Sequence, residues 1–79
     1  MNNQERFQRI RSVAQEVSRY MEKRPNAAET AEGIAKWWIR RQRIEESVEI
    51  VESALDYLVE RNLIEKRSLG KETLYMRVS

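Results

Sequence analysis

The chain has 79 residues, of which 41% are hydrophobic, and this length suffices for one small domain with a single core. It contains neither Cys nor His, which excludes disulfide bonds, Cys/His zinc sites and catalysis by a thiol or an imidazole. The net charge of +2 indicates no class of partner. No segment resembles a signal peptide or approaches the roughly 18 apolar residues of a membrane span, so we expect a soluble, cytoplasmic protein with no membrane partner.

The first predicted element is an amphipathic helix over about residues 4–24. Its apolar stripe recurs at intervals of three and four residues and consists of Phe7, Ile10, Val13, Ala14, Val17, Tyr20 and Met21. Pro25 disfavours helical geometry in the residue before it, which predicts the end of the helix at Arg24. The stripe is too short for a coiled-coil seam, so core packing is the better interpretation.

A second helix is predicted over about residues 27–40. Two N-cap signals compete for its start, namely Asn26 with Glu29 and Thr30 with Glu32. Its apolar face has helical spacing and consists of Ala31, Ile34, Ala35 and Trp38, which predicts Trp38 in the core. Gly33 inside the helix costs about 1 kcal/mol relative to Ala. Either another backbone passes close to Gly33, or the glycine is merely tolerated.

A third helix is predicted over about residues 44–62. Its apolar positions are Ile44, Val48, Val51, Leu55 and Leu58. At about 100° per residue this stripe is rotated by roughly 120° from that of the second helix, so the chain must turn between about Arg40 and Arg43. Asn62 tolerates the left-handed geometry that ends many helices.

The chain closes with a predicted β-hairpin over about residues 63–78. Gly70 supplies the positive φ at its turn. The last run alternates, with Leu74, Met76 and Val78 on one face and Thr73, Tyr75 and Arg77 on the other.

From Thr30 to Val78 the chain resembles a winged helix-turn-helix domain, on the stretches "TAEGIA", "SALDYLVERNLIEKR" and "SLGKETLYMRV". The resemblance implies an α+β, mostly α fold, in which a three-helix bundle carries a C-terminal β-hairpin wing in one domain over residues 1–79. It also implies duplex DNA binding, with the third helix in the major groove and the wing on the backbone or minor groove. Two features depart from the family: the basic segment before the third helix is long, and Asn62 stands where glycine is common.

The third helix carries the wrong charge for a DNA-reading element. Residues 45–60 contain no Lys or Arg but six acids: Glu45, Glu46, Glu49, Glu52, Asp56 and Glu60. Such a surface opposes the attraction to phosphate that supplies nearly all non-specific DNA affinity. We therefore predict a protein-interaction module whose acidic face binds a protein with a basic surface.

Basic residues elsewhere keep DNA binding open as an alternative. The candidate contacts are Trp37, Arg40, Arg41 and Arg43 at the predicted turn and Lys66, Arg67 and Lys71 on the hairpin. They suit duplex DNA or a second protein contact, or they are ordinary surface charge. Trp37 lies at the edge of the apolar stripe, where it is either an interface residue or packed under a neighbouring element. RNA binding by the basic turn and homodimerisation also stay open.

Two further groups of charges are interpreted without a specific site. The basic residues of the first helix alternate with acids and are interpreted as a solvated face: Arg6, Arg9, Arg11, Arg19, Lys23 and Arg24. The carboxylates of the third helix have a spacing that could hold a cation, but metal-binding helices turn such groups into a bundle core. We therefore predict no enzyme, no metal site and no cofactor.

Overall fold

The computed structural model describes residues 3–39 and 47–78, apart from the side chains of Trp37 and Ile39. Its elements in chain order are α1 (Asn3–Lys23), β1 (Ala28–Glu29), α2 (Ala31–Gly33) continuing as a π-helix (Ile34–Ile39), α3 (Val48–Glu60), β2 (Ile64–Leu69) and β3 (Glu72–Arg77). The described part is mostly helical with one small antiparallel sheet, which confirms the α+β class.

Helix α1 buries one face of its C-terminal half. Val13, Ala14, Val17 and Met21 are almost inaccessible to solvent and belong to the core. The prediction was wrong for Phe7, whose side chain is 51% exposed. At 1.5 Å per residue α1 is about 30 Å long and α3 only about 20 Å, so the two helices cannot cover each other along their whole lengths.

The second helix begins later than predicted. Ala28 and Glu29 form strand β1, and Thr30 is the N-cap of α2, its Oγ1 accepting a hydrogen bond from the Gly33 amide at 3.1 Å. The competing signal at Asn26 is not used, because the chain turns there and the Ala27 amide donates to the Arg24 carbonyl at 3.0 Å. Pairing of β1 with a distant strand overrides the local helical signal.

Gly33 is approached by a side chain rather than by another backbone. A Cβ at this position would overlap the Glu29 carboxylate, which folds over the start of α2. Glu29 Oε1 accepts hydrogen bonds from the Thr30 amide at 2.8 Å and from the Thr30 hydroxyl at 3.3 Å. Glycine at this position therefore leaves room for a carboxylate at the positive end of the helix.

Helix α3 begins at Val48, not at about residue 44. Ser47 has extended geometry, and its Oγ accepts a hydrogen bond from the Ile50 amide at 3.3 Å, as an N-cap does. The buried residues are Ile50, Val51, Ala54, Leu55 and Leu58, whereas Ile44 lies outside the described residues. At the C-terminal end Asn62 has φ +60°, the left-handed geometry predicted for it.

The sheet has the strand order β1-β3-β2, and all its pairings are antiparallel. Strands β2 and β3 form the predicted hairpin, with Gly70 at φ +62° in its turn. Strand β1, which was not predicted, pairs Ala28 with Met76. The face of β3 that enters the core carries Tyr75, whereas Leu74 and Met76 are half-buried on the opposite face.

One core joins the helices to the sheet. Its buried residues come from α1, the π-helix, α3 and the inner face of the sheet, where Ile64 and Tyr75 lie. Trp38 is 7% exposed, so its predicted core position is confirmed. The packing fixes α3 by its apolar face and leaves the opposite face of that helix toward solvent.

Candidate functional site

Helix α3 presents a single column of exposed carboxylates, the acidic column, formed by Glu49, Glu52, Asp56 and Glu60. At about 100° per residue, these four positions fall within an arc of roughly 80° on the side opposite the buried residues. The column extends for about 16 Å along the helix axis. Glu45 and Glu46, the other two predicted members, lie outside the described residues.

The acidic column has no cationic partner among the residues that the structure describes. Its negative charge acts on the phenol of Tyr75, a core residue of strand β3. Burial raises the pKa of the Tyr75 phenol above its usual value, and the negative charges of Asp56 and Glu52 raise the pKa further. The negative potential of the column is therefore not neutralised by described neighbours and acts on the solvent in front of α3.

The basic residues predicted on the hairpin are all exposed: Lys66, Arg67 and Lys71. The strand register nevertheless separates them, because Lys66 lies opposite Tyr75 on one face of the sheet and Arg67 lies opposite Leu74 on the other. Arg67 Nη2 is also 3.8 Å from Glu65 Oε2, in an exposed ion pair that partly neutralises its charge. The hairpin thus offers dispersed cations rather than a compact basic patch.

The predicted basic turn cannot be placed in this fold. Arg40, Arg41 and Arg43 lie outside the described residues, and so does the side chain of Trp37. The backbone of Trp37 belongs to the π-helix Ile34–Ile39, a rare conformation that is frequent at functional sites. A contact of this segment with nucleic acid or protein stays a prediction.

A groove between α1 and the C-terminal end of α3 was not predicted from the sequence. It has a volume of about 250 Å³ and is lined by Arg11, Ala14, Gln15, Ser18, Tyr57, Leu58, Arg61 and Leu63. A shallower depression of about 330 Å³ continues it along α1 and shares Arg11 and Gln15. We call these two depressions together the α1–α3 groove.

Aromatic contacts fix the wall of the α1–α3 groove. The Phe7 and Tyr57 rings meet edge to face, with centroids 6.3 Å apart and an interplanar angle of 81°. The guanidinium carbon of Arg61 lies 4.3 Å from the centroid of the same Tyr57 ring. The available sequence signal was the helical spacing that puts Phe7, Arg11 and Gln15 on one face of α1. The prediction assigned Phe7 to the core stripe and Arg11 to a solvated face, so a groove that involves this face of α1 was not predicted.

Within the described ranges, no group of three or more acidic side chains is arranged to hold a metal ion. None of the helices described is both long and apolar enough to cross a membrane.

Comparisons with protein-family models, with curated proteins and with solved structures found no significant similarity to this chain.

Proposed function

We propose that the protein is a non-catalytic recognition module on a winged-helix scaffold and that the acidic column of α3 binds a protein with a basic surface. The scaffold assignment is supported by the order of the elements, in which a short strand separates the first two helices and a hairpin follows the third. It is also supported by the strand order β1-β3-β2, in which the short strand pairs with the second strand of the hairpin.

The observation that carries the proposal is the acidic column, which has no cationic partner in the described part of the chain and lies on the helix that winged-helix proteins insert into DNA. Four carboxylates over about 16 Å would face a polymer that has one negative charge per about 1.7 Å. A basic protein surface meets the same column with attraction, which raises the association rate and selects against acidic partners. The charge of α3 therefore favours a protein partner over duplex DNA.

A capture experiment with matched charge reversals tests this proposal. The variant Asp56→Lys/Glu60→Lys reverses half of the acidic column without touching the first turn of α3. The control Glu22→Lys/Glu72→Lys makes the same change of net charge at exposed positions on α1 and β3. Host proteins captured by the wild type and by the control, but not by the α3 variant, would support the proposal. Identical captures by all three proteins would refute it.

A small DNA-binding regulator is the second candidate function, favoured by the exposed cations of the hairpin. Lys66 and Lys71 form no ion pair with a described carboxylate, so both are available to phosphate. In this alternative the hairpin and the basic turn contact the duplex while α3 is held away from it. Micromolar or tighter binding to random duplex near physiological salt, falling steeply with ionic strength, would favour DNA. Replacing Lys66, Arg67 and Lys71 by Ala together should then weaken binding, and unchanged binding would exclude this alternative.

A further inference from the structure

We propose that the α1–α3 groove is a second recognition site that binds a short acidic peptide segment of another protein, one large apolar side chain of which is flanked by carboxylates. The site is independent of the proposed function, because it lies on a different side of α3 and has the opposite charge. At about 100° per residue, Tyr57 and Arg61 are displaced from the centre of the acidic column by roughly 95° and 135° respectively.

The charge of the groove selects an anionic ligand. Arg11 and Arg61 line it from opposite helices, and no acidic residue is among its lining. Neither guanidinium forms an ion pair with a described carboxylate. Gln15, Ser18 and the Tyr57 hydroxyl add neutral hydrogen-bonding groups. Guanidinium groups of this kind, beside neutral donors, bind carboxylates with geometric specificity.

The apolar residues in and beside the groove favour a ligand that has an apolar side chain in addition to its negative charge. Leu63, which lines the groove, is 52% exposed, and Phe7, which packs against the lining residue Tyr57, is 51% exposed, although both belong to residue types that are usually buried. The Tyr57 ring is held edge-on by Phe7, and the Arg61 guanidinium lies over its face. This arrangement of an exposed aromatic wall with arginine is typical of the residues that dominate protein interfaces. An apolar side chain of the ligand would remove Phe7 and Leu63 from water.

The dimensions favour a peptide over a small molecule. Both depressions of the groove are open to solvent, whereas pockets for small molecules bury most of the ligand's surface. The groove runs along α1 from Gln8 to Ser18, about 15 Å at the helical rise. That length matches four or five residues of an extended peptide at about 3.3 Å each. Several side chains of a segment would therefore contact the groove at once.

The acidic column also distinguishes an acidic peptide from nucleic acid. A long polyanion lying in the groove would extend past the carboxylates on the neighbouring face of α3, and repulsion would oppose it. A segment of four or five residues can be confined to the groove, whose lining contains no acidic residue. A second copy of this chain is a poor occupant, because the described part of its acidic column contains no exposed large apolar side chain. The geometry thus fits an acidic peptide from a different protein.

The test measures binding of three synthetic pentapeptides to the full chain by amide NMR and titration calorimetry. The probe acetyl-Asp-Ser-Phe-Ser-Asp carries both predicted features. One control has Lys in place of the two Asp residues, and the other has Ser in place of Phe. We expect the acidic apolar probe to shift the amide signals of residues 7–18 and 57–63 and to bind about tenfold or more tightly than either control. Its affinity should fall as salt is raised.

Matched variants locate the site. Arg11→Gln/Arg61→Gln should lower the affinity for the acidic apolar probe about tenfold or more, and Phe7→Ala should lower it several-fold. Lys23→Gln/Arg77→Gln removes the same charge at exposed positions outside the groove and should leave the affinity within about twofold. Far-ultraviolet circular dichroism checks that each variant is folded. The salt dependence of probe binding to the wild type tests the role of charge even if a variant does not fold.

Several results would overturn the proposal. One is the absence of groove shifts at millimolar probe, and another is equal binding of the Lys control. Tighter binding of a single-stranded oligonucleotide at the same residues would assign the groove to nucleic acid instead. Self-association of the wild type that is lost in Arg11→Gln/Arg61→Gln would assign it to a second copy of the chain.

Discussion

The rings of Tyr20 on α1 and Trp38 on the π-helix stack with their centroids 4.0 Å apart and their planes 21° from parallel. The guanidinium carbon of Arg24 lies 4.0 Å from the centroid of the same Tyr20 ring. Since Trp38 occupies one face of the phenol ring at van der Waals distance, Arg24 covers the other. This three-layer contact ties the end of α1 to the π-helix at one corner of the core.

Removing the indole ring should destabilise the fold strongly. Trp38 is buried, so Trp38→Ala leaves a cavity and is expected to lower the free energy of unfolding by about 3–5 kcal/mol. A double-mutant cycle with Tyr20→Leu and Trp38→Leu should give a coupling of about 0.5–1.5 kcal/mol for the stacked rings. Urea unfolding measures both quantities. A loss below about 1 kcal/mol for Trp38→Ala would contradict the core position.

Gly33 and Glu29 should be coupled. Gly33→Ala gains about 1 kcal/mol of helix propensity, but its methyl group displaces the Glu29 carboxylate, with the loss of hydrogen bonds worth about 0.5–1.5 kcal/mol each. The loss of both bonds, about 1–3 kcal/mol in total, equals or exceeds the gain, so the single variant should be between neutral and about 2 kcal/mol less stable than the wild type. In a Glu29→Ala background the same change should stabilise by about 1 kcal/mol. Equal effects in both backgrounds, measured by urea unfolding, would contradict this coupling.

The two left-handed residues should respond differently from ordinary loop positions. Gly70 has φ +62° with open space around its Cα, so Gly70→Ala should cost about 1 kcal/mol through backbone strain alone. Asn62→Ala at φ +60° should cost a similar amount, whereas Asn62→Gly should be neutral or slightly stabilising. Thermal unfolding compares the three variants. Destabilisation by Asn62→Gly equal to that by Asn62→Ala would indicate a side-chain role for Asn62.

Tyr75 should make the fold sensitive to alkaline pH. Its pKa is raised in the folded state, so the unfolded chain releases the phenolic proton first as pH increases. The contribution of the raised Tyr75 pKa to the free energy of unfolding is therefore fully present below the usual phenol pKa of about 10. It is lost as pH rises through the pKa of the folded state. Tyr75→Phe should remove this part of the alkaline loss, as measured by urea unfolding between neutral and strongly alkaline pH.

Removing the neighbouring carboxylates separates the two causes of the raised Tyr75 pKa, burial and negative charge. Because burial is the largest cause, the double variant Glu52→Gln/Asp56→Asn should lower the Tyr75 pKa only partly toward its usual value. The measurement is phenolate absorbance as a function of pH for the wild type, this variant and Tyr75→Phe. Since the chain has three tyrosines, the titration that is missing in Tyr75→Phe is that of Tyr75. A return to the usual pKa in the carboxylate variant would show that charge, not burial, dominates.

Predictions from the sequence were best where hydrophobic spacing and local backbone chemistry agree. The periodic residues of α1 and α3 that face the core, the buried Trp38 and the positive φ of Asn62 and Gly70 all follow from local rules. Strand β1 did not, because two residues carry no periodic signal and their extended form depends on pairing with Met76 and Tyr75. The start of α2 was misplaced for the same reason.

The surfaces were predictable in composition and less so in arrangement. Exposure of the acidic column follows from the phase of α3, since its members lie opposite Val51 and Leu55. The separation of Lys66 from Arg67 depends on strand register, which the residue types do not determine. The α1–α3 groove depends on how α1 packs beside the C-terminal end of α3, and a stripe on α1 alone cannot reveal where its partner ends.

Pairing of β1 with β3 has a consequence for the order of folding. The β2–β3 hairpin joins neighbouring segments, whereas Ala28 must find Met76 across most of the chain. Closing that long loop costs more entropy than closing the hairpin turn, so β1 is expected to join the sheet after the hairpin has formed. During synthesis, residues 28–29 have no strand to pair with until β3 has left the ribosome. Strand β1 can therefore complete the sheet only after translation has passed Met76.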